Sequence, residues 1–323
     1  NDDRHRGGHR PHRGLLREAT MPGLADASRT RRSLITAARA VREAAPASSG
    51  PVFTTLTGGM GALAQALASR LTDLDVTLRT ETMVRELRRT PEGWRLIVGP
   101  ARAPEPVEAD AVILAVPARA ARRLLREEVP AASAELDRIE YASMAIVTLA
   151  YSATAFPRPL GRSGYLVPAV ESEGVKAVTF STTKWPYLLD DAPGMVAVRC
   201  SIGRFGEEQI LQRPDGELKA LAMTELARTT GVIELPVDSR VTRWGGALPQ
   251  YSVGHLGRVA RIRAAVAGVP GLAVCGAAYD GVGIPACIGS ARAAVARVTG
   301  DLKGRGESET TGQRRPVPEQ KGN

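Results

Sequence analysis

The stretch LAVCGAAYDGVGIPACIGSARAAVA, residues 272–296, decides how this sequence is interpreted. It begins with a short apolar run that predicts a strand, and it continues through a loop that contains Gly276, Gly281 and Gly283. Pro285 suits the first turn of a helix, and the apolar residues after it recur at helical spacing. The sequence therefore predicts a strand, a glycine-rich loop and a helix in immediate succession.

This arrangement would point backbone N–H groups and the positive end of a helix at one place. Glycines there would let a ligand come close to the backbone. A flavin pyrimidine ring, which gains negative charge when it is reduced, suits such a place. A plain strand–turn–helix with tight packing explains the same spacing equally well, so the spacing alone leaves both interpretations open.

A second glycine-rich segment, GGMGALA at 58–64, opens another helical pattern. Its G-x-G-x-x-A spacing fits a dinucleotide-binding fingerprint, which also requires a buried strand before it and an acidic residue about 20 positions later at a strand end. PVFTTLT (51–57) is a poor buried strand, and Glu81 begins a strand-like run instead of ending one. We therefore favour a helix entry that packs closely under another segment.

The remaining pattern mixes strands and helices. Strand-like runs precede a long region, 141–212, in which apolar runs alternate with turns and predict a mainly antiparallel sheet. The earlier runs are DVTLRT (75–80), TMVRELRR (82–89), WRLIVG (94–99) and DAVILAVP (110–117). Residues 24–43 predict one amphipathic helix, and the polar residues after 300 predict disorder.

Composition excludes several classes of protein. The net charge of +9 is concentrated near the start, where residues 1–50 hold ten Arg against five acidic residues and no aromatic residue, so we do not expect nucleic-acid binding. No apolar run is long enough for a transmembrane helix, and no secretory signal is recognisable. Three widely spaced cysteines predict neither a disulfide framework nor a metal site, and they favour a cytoplasmic location.

The combination of motifs resembles one family. Between residues 51 and 300 the sequence resembles the flavin-dependent protoporphyrinogen and coproporphyrinogen oxidases of the amine-oxidase-like superfamily. The motifs that carry the resemblance are GGMGALAQAL, DAVILAVPA, GYLVP, TFSTTKWP, Arg243-Trp244, ALPQY and GAAYDGVGIPACI. It implies an α/β fold of mixed α+β character, in which an incomplete FAD-binding Rossmann-like domain carries an inserted antiparallel-sheet substrate domain.

The resemblance also implies site residues. Val84 would contact the adenine side of FAD through its backbone, Trp244 would lie near the isoalloxazine, and the closing loop would line the pyrimidine edge of the flavin. The loop residues are Gly276, Val282, Gly283 and Ile284. Tyr165 and Leu166 would belong to the substrate-binding sheet. Each residue also has a plain structural interpretation, as core, as a packing aromatic or as part of an ordinary half-buried strand.

The implied reaction is the oxidation of a porphyrinogen, coproporphyrinogen III or protoporphyrinogen IX, with molecular oxygen as the acceptor. The flavin carries this chemistry, so no catalytic side chain and no metal are expected, and His255 is interpreted as structural. Substrate propionates require cationic partners, for which Arg158 and Arg162 are candidates, although a solvated Arg is the commoner case. Because porphyrin intermediates are apolar, peripheral membrane contact is also compatible with this interpretation.

The sequence departs from the family before residue 51, where no strand followed by GxGxxG occurs. We infer that a segment of about one βαβ unit is missing there, so a truncated, non-catalytic remnant and another amine-oxidase-like flavoprotein are alternative interpretations. The predicted organisation is a disordered tail and helical remnant at 1–50, part of the FAD-binding domain at 51–118, the substrate-binding domain at 119–240, the C-terminal FAD-binding segment at 241–300 and a disordered tail at 301–323.

Overall fold

The computed structural model describes residues 22–31, 33–44, 54–171 and 174–312. Its chain divides into two units. The first unit falls within residues 1–139 and 251–323, and the second unit is formed by residues 140–250. The mixture of helices and sheets confirms the predicted fold class.

The helices, in chain order, are α1 (Pro22–Thr30), α2 (Leu34–Ala44), α3 (Gly61–Asp73), α4 (Ala118–Leu125), α5 (Pro130–Leu136), α6 (Ser181–Lys184), α7 (Leu188–Asp191), α8 (Asp215–Thr230), α9 (His255–Ala267) and α10 (Ile284–Gly312). The strands are β1 (Val84–Arg89), β2 (Trp94–Val98), β3 (Glu105–Ala109), β4 (Val112–Leu114), β5 (Tyr141–Ser152), β6 (Gly164–Leu166), β7 (Val175–Phe180), β8 (Met195–Ile202), β9 (Asp238–Pro249) and β10 (Leu272–Val274).

The first unit contains a parallel pair of strands that positions the glycine-rich loop. Strand β10 pairs with β4, with Leu272 opposite Val112 and Val274 opposite Leu114. All three β10 residues are buried, and α10 packs on the pair through Ala294 and Val298. Because the carboxyl ends of parallel strands share one edge, the loops that follow β4 and β10 emerge side by side.

The first unit also holds an antiparallel three-stranded sheet in the order β1-β2-β3. The turn at residues 91–93 joins β1 to β2, and Thr90 closes it by accepting a hydrogen bond from the Gly93 N–H at 3.1 Å through its hydroxyl. Trp94, at the start of β2, is buried. These strands are the ones that the runs TMVRELRR and WRLIVG predicted.

The second unit is an antiparallel sheet on which α8 packs. Its five strands lie in the order β6-β7-β8-β5-β9. Alternate residues of the long strand β5 are buried, and they pack with the buried side chains of α8. Helix α8 ends at Gly231, whose left-handed backbone (φ +77°) stops the helix. The prediction of a mainly antiparallel sheet in this region is therefore confirmed.

Three local predictions are wrong. The run DVTLRT (75–80) forms no strand, because the part of the chain that the structure describes offers it no partner, and Val76 and Leu78 are exposed. Residues 24–43 form two helices instead of one, since Ser33 starts α2 by accepting a hydrogen bond from the Ile35 N–H. Residues 301–312 continue α10 instead of being disordered; Asp301 anchors this part by accepting a hydrogen bond from the Gly271 N–H.

The close packing expected around the segment at 58–64 is also wrong for the described residues. A Cβ added at Gly58, Gly59 or Gly61 would meet nothing within 4 Å. Gly58 and Gly59 have φ of +82° and +84°, so the turn itself requires glycine there. No described helix is long and apolar enough to span a membrane.

Candidate functional site

The loop of residues 276–283 joins the buried end of β10 to the first turn of α10. The backbone N–H groups of Val282, Gly283 and Ile284 have no hydrogen-bond acceptor among the residues that the structure describes. The side chains beside them are open to solvent, with Val282 52% and Ile284 44% exposed. Three free donors thus meet the positive end of a long helix, which is a favourable place for negative charge.

Two glycines give this loop its shape. Gly276 has φ +115° and Gly281 has φ +145°, backbone conformations that residues with a Cβ rarely adopt. A Cβ at Gly281 would also lie 2.9 Å from the Cβ of Ala286, closer than real side chains come. Gly283 is different, because its φ is ordinary and, among the described residues, an added Cβ would meet only Pro285 Cδ at 3.8 Å. Its open surface is therefore available to a ligand.

Side chains of the two flanking helices, α9 and α10, hold the loop in place through hydrogen bonds. Ser290, on α10 and only 3% exposed, accepts a hydrogen bond of 3.2 Å from the N–H of Gly276. The Asp280 carboxylate forms a bidentate pair with Arg263 of α9, with N–O distances of 2.9 and 2.5 Å. This hydrogen-bonded pair, together with a hydrogen bond from Ser290, lowers the pKa of Asp280. Both helices that flank the loop are therefore tied to it.

A stacked pair of rings supports the start of the loop. The rings of Tyr251 and His255 lie 4.2 Å apart between centroids and only 14° from parallel. The Tyr251 hydroxyl donates to the carbonyl of Ala277 in the loop. His255 is 4% exposed, and burial, followed by the neighbouring Arg258, lowers its pKa. We therefore expect a neutral His255 at pH 7.

The predicted cofactor residues of the first unit lie in two places. Gly276, Val282 and Gly283 lie in the loop, and Ile284 follows as the first residue of α10. Val84 lies at the start of β1 in the other sheet, half-buried, and its carbonyl accepts a hydrogen bond of 2.6 Å from Arg123. A ligand that binds the Val84 carbonyl would therefore share this acceptor with Arg123, a residue that the sequence pattern did not single out.

The other predicted residues lie in the second unit. Trp244, on β9 opposite Met144, is 52% exposed. Tyr165 and Leu166 are consecutive residues of β6, so their side chains point to opposite faces of the sheet. Tyr165 packs on the core beside α8, whereas Leu166 is 82% exposed. Trp244 and Leu166 therefore present large apolar surfaces that the second unit itself does not cover.

Sequence reasoning missed the residues that hold the loop. Ser290, Arg263 and Asp280 act through contacts between elements that are distant in the chain, and no local pattern marks them. Among the described residues, no group of three or more His, Cys, Asp or Glu side chains could hold a metal ion. The arrangement offers backbone donors and open apolar side chains, which suits the binding of a ring with polar edges.

A family profile described as flavin containing amine oxidoreductase matches residues 8–299. Coproporphyrinogen III oxidase of Mycobacterium tuberculosis (strain ATCC 25618 / H37Rv) is 42% identical over 262 residues, which cover 80% of this chain and 54% of that protein. Coproporphyrinogen III oxidase of Bacillus subtilis (strain 168) is 32% identical over 190 residues, 58% of this chain and 40% of that protein. The chain thus spans about half the length of these curated relatives.

Solved structures agree with these matches. A protein from Exiguobacterium sp. 255-15, to which protoporphyrinogen oxidase activity is ascribed, superposes with a TM-score of 0.70 at 26% identity and covers 89% of this chain and 59% of its own. Cyclohexylamine oxidase from Brevibacterium oxydans IH-35A, at 15% identity and a TM-score of 0.58, shares the fold over 76% of this chain and 53% of its own. The family predicted from the motifs is therefore confirmed.

Proposed function

We propose a function from one premise, which is that the chain belongs to the family of flavin-containing amine oxidoreductases. The proposed reaction is the oxidation of a porphyrinogen, with FAD as the cofactor and molecular oxygen as the acceptor. Coproporphyrinogen III, oxidised to coproporphyrin III, is the first candidate substrate, and protoporphyrinogen IX is the second. The names of the relatives support this choice, since the most similar of those reported above are coproporphyrinogen III oxidases.

The observation that carries the proposal is the set of unpaired donors at the start of α10. The backbone N–H groups of residues 282–284 suit the pyrimidine edge of a flavin, whose oxygen and nitrogen atoms accept hydrogen bonds and gain negative charge on reduction. Gly283 leaves room for a ring against the backbone. The residues present therefore fit the cofactor.

When bound, FAD would supply the redox chemistry: in each of three rounds it would take a hydride, two electrons with one proton, from a carbon that bridges two pyrroles while an N–H proton is lost, and molecular oxygen would carry the electrons away as hydrogen peroxide. The chain's own residues would bind the cofactor and orient it. The three amides at 282–284 would place positive potential where negative charge develops, and the exposed side chains of Val282 and Ile284 would keep water from the same surface. Ser290 and the Arg263–Asp280 pair would fix the loop in that orientation.

The remaining predicted residues receive more limited roles. We assign Val84 to the adenine side of FAD through its backbone, in competition with Arg123. Trp244 is assigned to the neighbourhood of the isoalloxazine, for which its half-exposed indole is available. Of the two residues proposed for substrate binding, Leu166 offers an open apolar surface, and Tyr165 faces the other side of its sheet.

A second candidate is a chain that keeps this loop without catalysing a reaction. The observation that favours it concerns α3, none of whose side chains is buried by the residues that the structure describes. Leu63 and Leu67 are 39% and 58% exposed on a helix whose apolar spacing predicts a covered face. A first unit with this open face would hold FAD more weakly than one in which the face is covered.

The test uses the purified full chain, loaded with FAD, in aerobic buffer with freshly reduced coproporphyrinogen III. The appearance of porphyrin fluorescence is followed with and without the chain, because porphyrinogens also oxidise spontaneously. We expect faster oxidation with the FAD-loaded chain and a rate at the spontaneous level with FAD alone. FAD binding without any acceleration would favour the non-catalytic candidate, and parallel assays with protoporphyrinogen IX would choose between the two substrates.

A further inference from the structure

A cavity of about 720 Å³ lies on the second unit, between the loop at 157–162 and the end of α8. Its volume falls within the range of small-molecule sites, which is about 300–1,000 Å³. Its lining includes Pro157, Arg158, Arg162, Tyr165, Phe180 and Arg228. Three arginines therefore converge on one opening.

The positive charge of this cavity is only partly compensated. Arg228 pairs with Glu225, with both oxygens 3.0 Å from the same nitrogen, and the carboxylate of Glu171 also acts on it. Arg158 and Arg162 make no hydrogen bond or ion pair with any described residue. Like charges around one cavity repel each other, so an anion that enters would relieve this repulsion and meet donors that are already in place.

An aromatic wall lies beside the arginines. The rings of Tyr165 and Phe180 are 6.1 Å apart between centroids. The Tyr165 hydroxyl forms a hydrogen bond with the hydroxyl of Thr229, which fixes its ring. Burial raises the pKa of Tyr165 to about 12, so the phenol stays neutral and adds no negative charge to the cavity. The wall therefore suits a flat apolar group.

The two sides of the cavity are held close together. A Cβ added at Gly231 would lie 3.3 Å from the Cγ of Pro157, which shows how near the end of α8 comes to the loop. Prolines at positions 157 and 159 restrict the backbone of that loop. The cavity is thus bounded by a stiff loop and a helix end, and a ligand would find it already formed.

We infer that this cavity binds a small ligand that joins an aromatic ring to a carboxylate or phosphate group. The ring would lie against Tyr165, and the anionic group would bind Arg158 and Arg162. This site is formed by the second unit alone and does not depend on flavin or on the proposed oxidation. The planar guanidinium groups can bind either anion with paired hydrogen bonds, so carboxylate and phosphate are both compatible with it.

The inference is tested with three probes that share one ring system: 2-naphthoate, 1-naphthyl phosphate and the uncharged 2-naphthalenemethanol. Each is titrated into the purified full chain by calorimetry. We expect at least one anion to bind to one site and to bind about tenfold or more tightly than the alcohol. The stronger of the two anions identifies the preferred group.

Two variants address the site itself. R158Q together with R162Q removes the free cations and should weaken anion binding by about tenfold or more. G161W fills the cavity from a position at which an added Cβ meets nothing within 4 Å, so it should abolish binding while the chain remains folded. R199Q, which removes an exposed arginine outside the cavity, is the matched control and should bind like the unmodified chain.

Three results would overturn the inference. They are the absence of anion binding to the unmodified chain, binding that R158Q/R162Q leaves unchanged, and binding of the alcohol as tightly as the anions. Circular dichroism melting of each variant distinguishes loss of the site from loss of the fold. If the arginine variants melt at a lower temperature than the unmodified chain, G161W decides whether the cavity is the binding site.

Discussion

Ser290 Oγ accepts a hydrogen bond of 3.2 Å from the backbone N–H of Gly276, and so links the start of the glycine-rich loop to the second turn of α10. Gly276 lies just after β10, where the loop begins, and Ser290 is buried. The orientation of the free amides at 282–284 therefore depends on a side chain that lies beyond them in the sequence.

Replacing Ser290 by Ala should leave the Gly276 N–H without a partner. We expect the free energy of unfolding to fall by about 1–3 kcal/mol, the cost of an unsatisfied buried donor. Urea denaturation measures this loss, and FAD titration should show weaker binding. T299A is the control, because within the described part of the chain the Thr299 hydroxyl bonds only to carbonyls of its own helix. Equal effects of S290A and T299A would contradict the linking role of Ser290.

The glycines of the loop should respond differently to the same substitution. G281A places a Cβ 2.9 Å from that of Ala286 at φ +145°, and we expect it to destabilise the chain by about 1–3 kcal/mol. G283A meets neither obstacle, so its stability should be unchanged, as thermal melting will show. G289A, inside α10 with open space around it, should be neutral or slightly stabilising. A large loss of stability in G283A would show that Gly283 serves packing.

The stability of the chain should depend on pH through His255. Burial and Arg258 lower the pKa of this side chain below its unfolded value, near 6.5, so the unfolded chain binds the proton more readily. The stability that neutral His255 contributes is present above that value and is lost as the pH falls towards the folded pKa. Urea midpoints at pH 7.5 and 5.5 should therefore differ less in H255F than in the unmodified chain. An identical pH dependence in both would contradict this assignment.

The three cysteines should differ in reactivity. Burial raises the pKa of Cys200 to about 12 and also raises that of Cys275, so both should stay protonated and inert at pH 8. Cys287 is partly exposed at the start of α10. A colorimetric thiol titration should detect one fast thiol in the native chain and three after unfolding, and C287S should remove the fast phase. A fast phase that persists in C287S would contradict this order.

Much of the fold could be predicted from local patterns. Alternating apolar residues identified the antiparallel sheet of the second unit, and the strand–loop–helix at 272–296 was found from its glycines and its apolar spacing. The run at 75–80 has the same alternation but forms no strand, because a strand also needs a partner. Periodicity reports which side chains prefer burial and does not report whether a neighbour covers them.

The candidate site was predictable only in part. The glycines and the helix start were visible in the sequence, since they form one continuous segment. Arg263, Asp280 and Ser290 became visible only when α9 and α10 were placed beside the loop. The cavity beside Tyr165 likewise depends on the end of α8 approaching the loop at 157–162, which no local pattern specifies.

The binding of FAD to the unmodified chain and to G283A tests the central claim most directly. Quenching of flavin fluorescence is followed as each protein is added, with G289A as the matched control on the same helix. We predict saturable binding to the unmodified chain and to G289A, and a large loss of affinity in G283A, whose added methyl group would stand in front of the free amides. Equal binding to G283A and the unmodified chain, or no binding to either, would contradict the claim that residues 282–284 hold the flavin.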